Sequence, residues 1–275
     1  MAAHHPSTFR AMFALPWQHR HLLTQLVRRE VLGRYRGSLM GILWSFVTPA
    51  LMLSVYTFVF SVVFQARWNT SVGSGDKVEF ALILFSGLIV FNLFAECISQ
   101  APGLILANTN YVKRVVFPLE ILPLASLGSA LFHAGINFFV LLVALLVTGH
   151  GVAWSVVSFP LVLFPFLLLI LGLTWGLAAS GVFLRDIGQM VGMAITVLMF
   201  LSPIFYPVSA LPESVQGWLF LNPLAFIIEQ TREVMVWNRW PHMQGLLIYT
   251  VLASIVAWSG FFWFQKTRKG FADVL

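Results

Sequence analysis

Between Arg36 and Arg67 the chain carries no charged side chain. The interval is filled by SLMGILWSFVTPALMLSVYTFVFSVVF, about residues 38–64. A hydrocarbon core about 30 Å thick takes roughly 20 helical residues to cross, so this run predicts a transmembrane helix with some tilt. A basic knot, Arg34-Tyr35-Arg36-Gly37, precedes it. Lys and Arg flanking a span stay in the cytoplasm, so the first crossing is expected to run from inside to outside. Pro49 follows Thr48 in mid-run. A membrane bundle tolerates it because neighbouring helices and Ser/Thr hydroxyls satisfy the freed carbonyl.

The rest of the chain has the same character. Of its 275 residues 59% are hydrophobic and 9% charged, against about a quarter charged in soluble domains, so a polytopic membrane protein is expected. The net charge of +6 does not point to nucleic acid, because the basic residues gather at membrane edges as orientation demands. Cys97 is the one cysteine, which excludes an intramolecular disulfide and most thiolate metal sites; it reads as a packing residue. The patch Ala11–Leu15 ends at Pro16 and is too short for the apolar core of a cleavable signal. No G-x-x-x-x-G-K-[ST] phosphate loop occurs, so work driven by ATP would need another chain.

In chain order, residues 1–16 are expected to form an irregular cytoplasmic tail. From Trp17 to Leu32 the apolar spacing is helical, with Glu30 interrupting it and Arg20, Arg28 and Arg29 close by. A basic, partly amphipathic helix before a span reads as interfacial. Orientation anchor and guide for an anionic lipid head are both open, although Arg28, Arg29, Arg34 and Arg36 exceed what orientation needs. Further spans are predicted at about 80–98, 121–147, 156–183, 189–206 and 245–264. In the second, Asn92 and Glu96 lie four apart; in the third, His133 and Asn137 do. The second pair reads as interhelical glue or as a proton relay. The fourth carries Gly172, Gly176 and Ser180, a ladder of small residues suited to close packing. Between the second and third, Pro102, Gly103, Asn108 and Asn110 mark a connection whose apolar turn, Leu104–Ala107, would lie on the membrane or dock into a partner. Residues 207–240 contain Pro207, Pro212 and Pro223 and no run long enough to span. Two short re-entrant helices broken near Asn222-Pro223 are expected there. This plan leaves twelve basic residues inside and four outside (Arg67, Lys77, Arg232 and Arg239), with both termini cytoplasmic.

Catalytic signatures are missing: there is no H-E-x-x-H, no G-x-S-x-G and no mid-span carboxylate pair. Asp76, Glu79, Glu96, Glu120, Asp186, Glu213, Glu229, Glu233 and Asp273 sit at span ends or in loops, which argues against a proton-coupled carrier. No catalytic and no metal-binding residue is expected. Aromatic residues make up 15% of the chain; within the spans they face lipid, or line a path for a sugar chain.

Three stretches, RREVLGRYRGSLMGILWSFVTPALMLSVYTFVF, NTNYVKRVVFPLEILPL and SPIFYPVSALPESVQGWLFLNPLAFIIEQTREV, resemble membrane subunits of ABC-2 type polysaccharide exporters. The likeness is greatest to O-antigen exporter permeases, with capsule and teichoic-acid exporter permeases as relatives, and covers about residues 17–270. It implies an all-α, six-span fold with an interfacial gate helix (residues 1–37 with the tail) ahead of a transmembrane domain (38–275). It implies a homodimer in the bacterial inner membrane with two copies of a cytoplasmic ATPase subunit. ATP and Mg2+ would bind to that partner, and this chain would hold no cofactor of its own. The cargo would be a polysaccharide linked to undecaprenyl pyrophosphate, moved among membrane lipids.

Carried onto this sequence, the resemblance sets Arg28, Arg29, Arg34 and Arg36 near the pyrophosphate head. Residues 100–113, with Gln100, Leu104, Asn108, Asn110, Tyr111 and Lys113, match the region coupled to the ATPase. Residues 208–236 match the external re-entrant helices. Tyr35, Trp44, Tyr56, Phe200, Phe205 and Tyr206 are the candidates for an aromatic-lined glycan path. Export of a drug or simple lipid, and a membrane-embedded transferase, are the competing readings.

Overall fold

Hydrocarbon offers no partner for a backbone N–H or C=O, so each apolar run must close its hydrogen bonds within itself. The computed structural model describes residues 9–63, 77–112 and 117–275, and among these residues there are helices and turns but no strand. Residues 1–8, residues 64–76 with Arg67 and Trp68, and residues 113–116 with Lys113 and Arg114 lie outside the described residues.

The tail is not irregular up to residue 16. Helix α1 covers Phe9–Gln18, with Pro16 inside it, because Met12 and Leu15 are buried in the main core. Nor is Trp17–Leu32 one helix: His19 leaves helical geometry (ψ 24°), and α2 begins at Arg20 and runs to Arg34. Gly37 (φ 85°) and Gly41 (φ 52°) then adopt positive φ, a region where a Cβ would be strained. Continuous helix therefore starts at Gly41 instead of Ser38, as a 3-10 turn leading into α3 (Trp44–Tyr56). A π-helix over Thr57–Val63 follows.

Helix α4 (Lys77–Gln100) is the most enclosed of the long apolar helices. Two 3-10 turns and a short α5 (Thr109–Val112) connect it towards α6 (Ile121–Val147). Then come α7 (Phe159–Phe183), α8 (Ile187–Leu201), α9 (Glu213–Gln216), α10 (Pro223–Met235), α11 (Met243–Thr267) and α12 (Phe271–Val274). Among the described residues five helical segments, 41–60, 78–103, 121–147, 154–183 and 243–274, are long and apolar enough to cross a membrane. The expected run 189–206 is shorter in fact. Helix α8 stops where Ser202 turns extended ahead of Pro203, which has no N–H to continue the ladder. Its 15 residues rise about 22 Å, less than the hydrocarbon thickness.

The small-residue ladder fixes the tightest packing. Helices α7 and α11 touch backbone to backbone, and a Cβ on Gly260 would fall inside the Gly172 carbonyl. One turn on, Gly176 faces Gly260, and beyond it the Trp263 indole N–H donates to Ser180 Oγ at 3.1 Å. Gly181 abuts the Pro102 backbone, seating the α4–α6 connection on α7. Arg268 ties α11 to the same region through the Glu120 carboxylate and the Phe117 carbonyl (2.8 Å).

Asn222 and Pro223 mark a helix start as expected: the Asn222 side chain accepts from Leu224 N at 2.9 Å and donates to Ser202 Oγ at 2.9 Å. Arg232, counted among the external charges, is fully buried. It donates to the carbonyls of Ile204 (2.9 Å) and Ile83 (3.4 Å) and to Glu229 (3.1 Å). The α8–α10 segment is thereby tied to α4.

Candidate functional site

The end of α2 and the helices α3, α4, α6 and α8 border a cavity of about 660 Å³. Tyr35, Trp44 and Tyr56 contribute aromatic faces to it. Its charged part is a trio drawn from three elements. Arg34 Nη2 donates to Glu96 Oε1 at 2.5 Å, His133 Nδ1 lies 3.1 Å from the same oxygen, and Arg34 Nη1 lies 3.2 Å from His133 Nδ1. The Glu96 and His133 side chains are largely buried, while Arg34 remains 41% exposed.

Asn92 and Asn137 line the same cavity. Helices α4 and α6 are consecutive spans running in opposite directions. Four residues back from Glu96 and four forward from His133 therefore both move one turn, about 6 Å, the same way. Asn92 and Asn137 therefore carry the polar lining of the cavity one turn beyond the Glu96–His133 contact. Each i,i+4 pair is visible in the sequence; that the two face each other is not, because nothing in either helix sets their mutual rotation.

The four arginines part ways. Arg34 alone of the four lines the cavity, whereas Arg28 and Arg36 are exposed. Arg29 turns to the α4–α6 connection, where its guanidinium donates to the Tyr111 hydroxyl and lies 5.5 Å from the ring centroid. Tyr111 stacks in turn on Phe117 at 4.2 Å. Glu30, the next residue of α2, is partly buried, and that burial raises its carboxyl above the ordinary value against the opposing pull of Arg29 and Arg34.

Of the residues proposed for coupling, Gln100 lines the cavity, at the end of α4. Leu104 and Ile105 are buried in this chain's own core, so the apolar turn is in large part already covered; Asn108 Nδ2 donates back to the Leu104 carbonyl at 2.9 Å. Asn110 is exposed, and Lys113 lies outside the described residues. Phe200, Phe205 and Tyr206 do not join the other aromatics. They form a separate cluster at the end of α8, with Phe200 and Phe205 stacked at 6.3 Å and Tyr206 donating to the Phe200 carbonyl at 3.1 Å. Among the described residues no group of three or more His, Cys, Asp or Glu side chains is placed to hold a metal ion.

An anion meeting this surface finds a basic approach along α2, one guanidinium at the cavity mouth, and polar groups leading inward between aromatic walls. The ABC-2 type transporter family matches residues 21–236. An O-antigen export system permease protein, RfbA, of Myxococcus xanthus is 30% identical over 259 residues, covering 94% of this chain and 96% of its own. An RfbA permease of Klebsiella pneumoniae is 25% identical, covering 92% of this chain and 95% of its own. The polysialic acid transport protein KpsM of Escherichia coli is 25% identical over 215 residues, 77% of this chain and 80% of its own.

Proposed function

The chain belongs to the ABC-2 type transporter family, and from that premise we propose that it is the permease subunit of an exporter for O-antigen-type polysaccharide. The reading rests above all on end-to-end similarity to proteins named as O-antigen export permeases. A capsule-type polymer is the second reading, favoured by the similarity to a polysialic acid transport protein. On this reading ATP and Mg2+ bind to a separate ATPase subunit, two copies of which would serve a homodimer of this chain; that no phosphate loop occurs in this sequence supports it. The excess of basic residues on one side argues for cytoplasmic termini in a bacterial inner membrane.

On this reading the substrate's lipid-linked pyrophosphate approaches along α2. Phosphate oxygens accept charge-assisted hydrogen bonds from Arg34, with Arg28 and Arg36 supplying attraction at longer range. The sugar chain follows past Tyr35, Trp44 and Tyr56, whose faces suit the apolar faces of pyranose rings. ATP-driven closure of the partner subunits moves the connection of residues 100–113. Because Arg29 holds Tyr111, that movement reaches α2 at the mouth of the path. Phe200, Phe205 and Tyr206, beside the α9–α10 segment, serve the far end.

Export of lipid-linked polysaccharide in proteoliposomes, with and without the partner ATPase, tests the reading. Export that needs both chains and ATP is the expected result. Movement of small lipids or drugs without glycan would overturn the polysaccharide assignment, and glycosyl transfer without ATP would overturn transport altogether.

A further inference from the structure

We propose that Glu96 is a tethered stand-in for the substrate's phosphate, holding the Arg34 guanidinium until a phosphoryl-bearing headgroup displaces it. The inference rests on the exporter reading for its ligand, but on this chain's own geometry for the exchange.

The Arg34–Glu96 pair is short but uses one carboxylate oxygen, Oε1. A forked guanidinium binds best when two parallel N–H groups meet two oxygens, which a phosphate supplies with charge to spare. Here the second arm, Nη1, is directed at His133 Nδ1 and not at Glu96. That imidazole nitrogen is asked for two incompatible things. If it carries a proton it donates to Glu96 and opposes the Arg34 N–H; if it does not, it accepts from Arg34 and opposes the carboxylate lone pair. No tautomer satisfies the whole trio, and His133 Nε2 is buried with no hydrogen-bond partner among the described residues.

Displacing Glu96 from Arg34 removes the conflict. In its Nδ1–H tautomer, His133 then donates to Glu96 with no guanidinium opposed to it, and Arg34 is free to fork onto phosphate. The other charged and titratable groups around the trio are Arg29 and Glu30 on α2, Tyr35 beyond its end, and Cys97 on α4. Arg34 is exposed enough for a ligand to reach it, and the adjoining volume of about 660 Å³ admits a headgroup beside Asn92 and Asn137.

The test is binding to the full chain, purified in detergent, with farnesyl pyrophosphate, inorganic pyrophosphate and farnesol as probes. Glu96→Gln is expected to tighten farnesyl pyrophosphate binding roughly fivefold, with farnesol unchanged, which corresponds to about 1 kcal/mol. Glu96→Asp keeps the charge but retracts it by one methylene, and is expected to give a smaller gain; it serves where Glu96→Gln folds poorly. The gain must vanish when Arg34→Gln is combined with either variant. An equal gain with inorganic pyrophosphate identifies a site for the phosphoryl group whatever carries it; a gain confined to the lipid identifies a headgroup site that also reads the tail. Unchanged or weaker pyrophosphate binding in both Glu96 variants overturns the proposal, as does a gain that survives loss of Arg34. ATP-driven export that persists while binding ignores Glu96 removes this inference alone. Binding as described in a chain that exports no glycan with its ATPase removes the exporter reading and keeps the site.

Discussion

Arg29 and Tyr111 stand 82 positions apart and meet as a cation over an aromatic face, the guanidinium 5.5 Å from the ring centroid and hydrogen-bonded to the phenol. Tyr111 is stacked on Phe117, so the contact joins α2 to a braced part of the α4–α6 connection.

If that contact transmits movement, Tyr111→Phe and Tyr111→Ala should differ. Phenylalanine keeps the cation–π face and loses the hydrogen bond; alanine loses both. Each interaction is worth about 0.5–1.5 kcal/mol. ATP-driven export should fall modestly with Tyr111→Phe and several-fold with Tyr111→Ala. In a double-mutant cycle on export, Arg29→Gln should add little to Tyr111→Ala, while additive losses would show that the two act separately.

Gly260 and Gly172 place two helix backbones in contact. Gly260→Val must push α7 and α11 apart, and overpacking of this kind costs about 1–3 kcal/mol. A methyl group added at Gly176 would meet its nearest neighbour, the Gly260 Cα, at 3.9 Å, so Gly176→Ala should be tolerated. Thermal melting in detergent checks the pair; equal midpoints for both variants would refute the distinction.

Arg232 is buried with two carbonyls and Glu229 as partners. Arg232→Met takes the guanidinium from the Ile204 carbonyl and from Glu229, while the Ile83 carbonyl keeps the Ser86 hydroxyl; hydrogen bonds to a charged group are worth about 1.5–3 kcal/mol each. The folded yield should collapse, and limited proteolysis should open the α8–α10 segment. Glu229→Gln keeps an acceptor but removes the counter-charge from the fully buried Arg232, so it should also be clearly destabilising.

Burial raises the Glu30 carboxyl above its ordinary value of 4.5, so the folded chain holds that proton more tightly than the unfolded one. Stability from this group therefore declines as pH rises from the unfolded value through the raised folded one, then levels off. Glu30→Gln should be as stable as the parent at low pH and more stable above that window. A melting-temperature difference that stays constant with pH would refute it.

Much of the fold is legible in the sequence because hydrocarbon imposes a simple rule on length and polarity. The run 121–147 shows it: free of Asp, Glu, Lys and Arg from end to end, it coincides with α6. Sequence patterns mislead where a short local signal meets tertiary packing. Met12 and Leu15 carry helix through Pro16 because a core receives them, and Pro203 ends α8 although the apolar run continues. The candidate site is legible as parts. Arg34, Tyr35, Trp44 and Tyr56 each stand out in the sequence, and Glu96 and His133 each have a polar neighbour one turn away. Their convergence depends on how α2, α4 and α6 are rotated against one another, which no single stretch encodes. Arg232 reads as an external charge in the sequence because its burial depends on carbonyls of Ile83 and Ile204, distant along the chain.

The contact of Gly172 with Gly260 also divides the molecule mechanically. Two helices locked at the backbone, with Gly181 clamped on Pro102 and Arg268 tied to Glu120, behave as a stator. Helix α3 is the least enclosed of the long apolar segments, with glycines of positive φ ahead of it and a π-helix behind. It is the segment least tied to that block, and the positive-φ backbone at Gly37 and Gly41 is where a change in its direction is expected to be absorbed.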